Sequence, residues 1–229
     1  MKSIFLSLFS TICLFTAFTS SLDAACVGKV DIGPAFVHVD ILESGHTVKR
    51  MDMWAIRGDA SYTIWKGLYV KPTLLYANGG AAKGGLFTAA FGVGHYTPLN
   101  DMFAVTPLLG VTYSHLWTKI DLPLYMLENL NEKFKAWSPY LGLEICCKFY
   151  EGWRLYGSFQ YAWSRSRTII SHVGKFKSNC KGPTYSFLLE KDLSDTWSVN
   201  IGGAYNLSLS KEKHGLRGTG VKIGVVRWF

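Results

Sequence analysis

The residues most able to do chemistry are histidines placed near carboxylates. In "FVHVDIL", His38 and Asp40 are two positions apart, so on a strand they share one face. Asp52 and Asp59 follow on the next apolar stretch. Imidazole beside carboxylate can move protons near neutral pH. Catalysis also needs a nucleophile or a bound water, and the sequence offers no clear one. Ser114-His115 and Ser171-His172 are neighbours, which a strand points to opposite faces. A lone His–Asp pair serves structure more often than turnover, so the expectation is a protein that is not an enzyme.

Cysteine chemistry is equally constrained. Beyond the first 25 residues there are Cys26, Cys146, Cys147 and Cys180. Cys146 and Cys147 fall on opposite faces of one strand. Cys26 and Cys180 are expected at opposite ends of the molecule, too far apart to bridge. Free thiols are the expectation, with cross-linking to another chain as the alternative. No His/Cys spacing fits a zinc site, and no cofactor is implied.

The elements that would position these residues are strands. Apolar residues make up 48% of the chain and charged residues 17%, below the ~25% of a soluble domain. Residues 1–25 read as a secretory signal: Lys2, an apolar run over 4–18, then small residues. Residues 26–229 read as one domain, with no linker and no apolar window long enough for a membrane helix.

Within that domain, apolar and polar residues alternate in segments of the ~10-residue length that crosses a bilayer as a tilted strand. Ten segments are predicted: about 30–42, 52–64, 68–77, 85–96, 102–117, 137–150, 153–168, 183–191, 197–210 and 218–229. "YLGLEICCKFY" shows the pattern best, with Leu141, Leu143, Ile145, Cys147 and Phe149 opposing Tyr140, Gly142, Glu144, Cys146 and Lys148. Gly33-Pro34 suggests a bulge. Tight turns at "WKGL", "PLND", "YEGW" and "LSDT" alternate with longer links near 43–51, 78–84, 118–136, 169–182 and 211–217. The predicted fold is all-β: a transmembrane up-and-down antiparallel β-barrel of ten strands, with eight as the second choice. In the longest link, Leu127, Leu130 and Phe134 have helical spacing and predict a short amphipathic helix that caps the mouth or folds inward.

Three features put the apolar face outward. The polar face is built of Gly, Ala, Ser, Thr and Asn, which a narrow lumen can hold. Trp65, Tyr69, Phe103, Tyr150, Trp153, Trp197 and Trp228 lie beside the tight turns, as an interfacial girdle would. Charges of both signs fall on the polar face: Asp40, Arg57, Asp59, Lys71, Glu144, Lys148, Arg154, Glu190 and Lys222. In lipid each would cost several kcal/mol; in a lumen they can neutralise one another.

The chain ends "VKIGVVRWF". Val221, Ile223, Val225 and Phe229 alternate up to a terminal aromatic. This resembles the carboxy-terminal signature of bacterial outer-membrane β-barrel proteins, and Arg227 departs from it where an apolar residue is usual. The resemblance implies outer-membrane residence and recognition by the barrel-insertion machinery.

The links are basic. Lys49 and Arg50, Lys175, Lys177 and Lys181, and Lys211, Lys213 and Arg217 supply much of the formal charge of +8. Such a rim suits outer-membrane lipid, lipopolysaccharide phosphates or host surface polyanions; no nucleic-acid motif accompanies it. The leading expectation is therefore a non-enzymatic outer-membrane protein with basic surface loops for envelope or host-surface contact. A small porin-like channel is the alternative, and an omptin-like rim protease the next, since that protease type resembles a ten-stranded barrel with Asp and His pairs at its outer rim.

Overall fold

A computed structural model describes residues 28–79, 84–122, 127–171 and 173–229. The expected export signal lies outside them, as does Cys26. The described chain forms one antiparallel sheet and no helix. Its strands are β1 (Gly28–Glu43), β2 (His46–Trp65), β3 (Leu68–Asn78), β4 (Gly85–His95), β5 (Thr97–Pro98), β6 (Phe103–Leu122), β7 (Leu127–Tyr150), β8 (Trp153–Ile170), β9 (Gly174–Asp192), β10 (Trp197–Leu209) and β11 (Gly215–Trp228). β5 is a two-residue pairing inside the β4–β6 turn, so the wall has ten long strands. Each pairs with its sequence neighbour, β4 with β6, and β1 with β11, which shuts the ring. Closure leaves no strand edge of the ring unpaired.

The terminal strand makes that closure. Its register on β1 runs from Lys29↔Trp228 to Leu42↔Gly215, and the Phe229 amide donates to the Gly28 carbonyl at 2.9 Å. Val221, Ile223, Val225 and Phe229 all face outward and are exposed to the surroundings of the barrel. Gly33-Pro34 forms no bulge toward β2, where pairing runs unbroken from Gly28 to Ile41. Toward β11 the ladder omits both residues, because Pro34 has no N–H to give.

The links predicted near 43–51, 118–136 and 169–182 are largely strand. β2, β6, β7, β8 and β9 run 18 to 24 residues, well beyond the ~9–11 that cross a bilayer. The surplus rises at one end as tall hairpins. Residues 127–134 belong to β7, not to a helix: in register with β6, Leu130 and Phe134 continue the lumen-facing alternation of Ala136 and Ser138. At Ser44-Gly45 and Lys66-Gly67 both turn residues have positive φ (50° and 84°, 39° and 83°), the two-residue geometry that matches strand twist.

Two girdle residues face the other way. Tyr69 is 8% exposed on the lumen side of β3, and Trp228 points inward to donate to Ser198 Oγ at 2.9 Å. Trp65, Phe103, Tyr150 and Trp197 are exposed on the outside.

Candidate functional site

The lumen is layered. Nearest the tight turns is a set of ion pairs. Lys222, on β11, is held between Asp31 of β1 and Asp59 of β2, the latter at 3.0 Å. Arg57 grips both oxygens of Asp59 at 2.8 and 2.9 Å, and Thr73 donates to it at 2.7 Å. Asn200 donates to Asp31 at 2.9 Å. Gly224 makes room: a side chain there would strike the Asp31 carboxylate. Beside this group Lys71 pairs with Glu144 across the lumen. Glu190, with no exposed surface, meets Arg154 at 3.0 Å and Lys29 at 3.4 Å, and Arg154 also pairs with Asp192. Lys29 stacks over the Tyr156 ring at 4.4 Å. An unpaired charge here would keep its full desolvation cost; the network removes it pair by pair.

Of the nine charges predicted for the lumen, seven are in these pairs. Lys148 is exposed at the tight-turn rim and has no ion-pair partner among the described residues. Asp40 is on the other side of the wall. On β1 the lumen receives Lys29, Asp31, Ala35, Val37 and Val39, so His38 and Asp40 point outward. Asp31, Lys29 and Asp192 are the lumen charges the sequence reading missed. Their strand ends were too short in the predicted segments, or hidden behind the apparent break at Gly33-Pro34.

Above the ion pairs the lumen is walled by small residues; a cavity of about 420 Å³ spans this layer and reaches both Lys71 and Glu144 on one side and Leu86, Leu116 and Phe134 on the other. Its hydroxyls satisfy one another across strands: Ser138 with Ser164 and Ser158 with Ser186 at 2.6 Å, and Asn206 with Thr184 at 2.7 Å. Above that the lumen turns apolar. Val39, Met51, Met53, Ala77 and Leu116 pack together with Leu86, Phe134 and Leu216 against them; Met51 and Met53 are each 1% exposed. Higher still, Lys49 of β2 reaches across the mouth to the carbonyl of Lys119 on β6.

On the outside of the β11–β1–β2 wall, His38 Nδ1 meets Asp52 at 2.7 Å and Nε2 meets Asp40 at 3.3 Å. Arg217 donates twice to Asp40, at 2.6 and 2.9 Å, and Arg50 is 3.5 Å from it. Both imidazole nitrogens and the Asp40 carboxylate are thus occupied by charged neighbours. Asp59 is far from this group, inside the barrel. The arrangement is an ion-paired patch on the outer wall.

The basic residues assigned to loops divide accordingly. Arg217, Arg50 and Lys49 are engaged in the contacts just described and belong to strands. Lys175, Lys177 and Lys181 are exposed on the outer face of β9, and Lys211 and Lys213 are exposed in the β10–β11 turn. Cys180 is buried in the lumen wall within 3.8 Å of Ser166 and 3.6 Å of Ser178, and Cys146 and Cys147 are also free thiols.

No protein-family model matches the sequence, and no curated protein matches it. Solved structures do resemble it. The outer membrane protease OmpT of Escherichia coli superposes with a TM-score of 0.56 at 13% identity, over 93% of this chain and 99% of that one. The translocator domain of the autotransporter NalP of Neisseria meningitidis superposes with a TM-score of 0.51 at 9% identity, over 99% of this chain and 96% of that one. At such identities the likeness is one of fold. The chain has the fold of the small outer-membrane β-barrel proteins.

Proposed function

We propose that this is an integral protein of a bacterial outer membrane that catalyses nothing, conducts no solute, and holds anionic groups of the envelope or of a host surface at its hairpin end. In this reading residues 1–25 direct export, the tight turns lie in the periplasm, and the insertion machinery reads Val221, Ile223, Val225 and Phe229. One observation carries it. The buried charges of the lumen are matched by opposite charges, whereas Lys175, Lys177, Lys181, Lys211 and Lys213 are exposed with no carboxylate ion pair among the described residues. Unmatched cations raise the local concentration of anions and speed their capture.

The test is retention of the folded barrel on an immobilised sulfated polysaccharide at rising salt. Replacing Lys175, Lys211 and Lys213 together with Gln should move elution to lower salt; unchanged elution removes the proposal. The 420 Å³ cavity favours a second reading, a small channel. The apolar layer opposes it, since a hydrophobic lining disfavours the passage of ions. In planar bilayers the wild type should show no conductance steps, and Met51→Ala with Met53→Ala should produce them. Steps from the wild type would favour the channel.

A further inference from the structure

The outer face of β6–β9 carries a concentration of lysines and arginines that the sequence pattern did not bring together, because they come from three separate strands, β7, β8 and β9. His115, Lys135, Arg167 and Lys177 pair in one unbroken row. The adjoining row toward the tips contains Lys133 and Lys175. The row toward the tight turns contains Arg165, next to Trp137 and Tyr113. The lysines and arginines in these rows are all exposed, and none has an ion-pair partner among the described residues.

Like charges directly opposite one another on neighbouring strands destabilise a sheet. Lys135, Arg167 and Lys177 lie on strands about 4.8 Å apart with nothing of opposite sign between them. The β11–β1–β2 wall differs: there Arg50 and Arg217 share the carboxylate of Asp40. An external anion would relieve the repulsion on β6–β9.

The position of the rows indicates where that anion comes from. Immediately below them Tyr113 and Trp137 stack with ring centroids 5.0 Å apart. Tyr and Trp settle at the headgroup level of a bilayer. Below those, Leu109, Leu141, Leu143 and Phe159 are exposed on the outer face and would meet acyl chains. The cations therefore face sideways at the height of lipid phosphates, on one part of the circumference. We infer that the β6–β9 wall, centred on Lys135, Arg167 and Lys177, binds the phosphates of an outer-leaflet glycolipid. Arg167 supplies a planar fork suited to a phosphate, Lys135 and Lys177 flank it as point charges, and Trp137 fixes the depth.

This rests on the outer-membrane reading above, and the experiment separates the two. The full chain, refolded in bicelles, is titrated with bisphosphorylated lipid A, with dephosphorylated lipid A, or with inorganic phosphate, and retained ligand is measured by native mass spectrometry. Bisphosphorylated lipid should be retained, dephosphorylated lipid lost, and free phosphate bound too weakly to compete. Lys135→Gln, Arg167→Gln and Lys177→Gln together should weaken retention on the order of a hundredfold, each cation near a membrane surface contributing about 1 kcal/mol. Lys66→Gln, exposed in the β2–β3 tight turn at the other end of the barrel, should leave it unchanged. Lys135→Arg with Lys177→Arg, which keeps the charge, should also retain the lipid and guards against a folding defect in the neutral variant. Equal retention of dephosphorylated lipid, equal binding of free phosphate, or an unaffected neutral variant that still migrates as a folded barrel overturns the site. A chain that does not insert into the bicelles at all overturns the reading beneath it.

Discussion

The two ends of this barrel are inverted with respect to each other. Toward the tight turns the wall is aliphatic outside and charged inside: Ile32, Ile56, Ile201 and Ile223 face out while Lys222, Asp31 and Asp59 meet within. Toward the hairpins it is charged outside and apolar inside: His38, Arg50, Asp40 and Arg217 face out while Val39, Met51, Met53 and Leu116 pack within. The strands pass from one regime to the other without changing register. In the outer-membrane reading proposed above, what changes is the solvent, hydrocarbon around the first part and water around the second. In hydrocarbon the lumen is the more polar side of the wall; in water it becomes the drier one.

The sharpest way to break this contrast is at Lys222. Lys222→Met would leave Asp31 and Asp59 buried with one cation fewer, at a cost of about 3–5 kcal/mol. The temperature at which the compact gel form disappears should fall markedly, and a variant as heat-resistant as the wild type would mean that the lumen pairs are not needed. Next comes the outer face. Leu143→Arg places a charge where lipid is expected and should cost about 2–4 kcal/mol if the site is near mid-bilayer. Arg165→Leu, a few residues higher on the next strand, should stay within about 0.5 kcal/mol. Urea titration of both variants in vesicles measures the difference, and equal losses would erase the boundary between the two regimes. The smallest effect is expected at the ion-paired patch. His38→Ala removes one partly exposed member and should cost no more than about 1 kcal/mol. Turnover of basic peptides by the folded barrel should not change with it; activity present in the wild type and lost in the variant would return this patch to catalysis.

The inversion also explains which sequence readings succeeded. The rule that apolar residues face out holds over "YLGLEICCKFY" and "VKIGVVRWF", where Leu141, Leu143 and Ile223 are exposed on the outer face. Applied to "FVHVDIL" the same rule turns the strand over, and sends His38 and Asp40 into the lumen when Val37, Val39 and Ile41 occupy it. A period of two says that faces alternate but not which solvent bathes each one. Arg217 was misread for a related reason: a basic residue next to "KEKHG" looks like a loop tip until β11 is extended to Gly215 and set opposite Asp40.

Strand number, the all-β class, the final strand and the outward apolar belt were determined by the sequence itself, because period-two alternation and turn residues are local properties of the chain. Partners were decided by the tertiary structure. Lys222 finds Asp31 and Asp59 only when β11 closes the ring on β1, and the registers of two successive hairpins set Lys135 and Lys177 on either side of Arg167. The energy of a charge depends on its neighbours across strands and on the medium beyond the wall, and neither is written in the residues on either side of it.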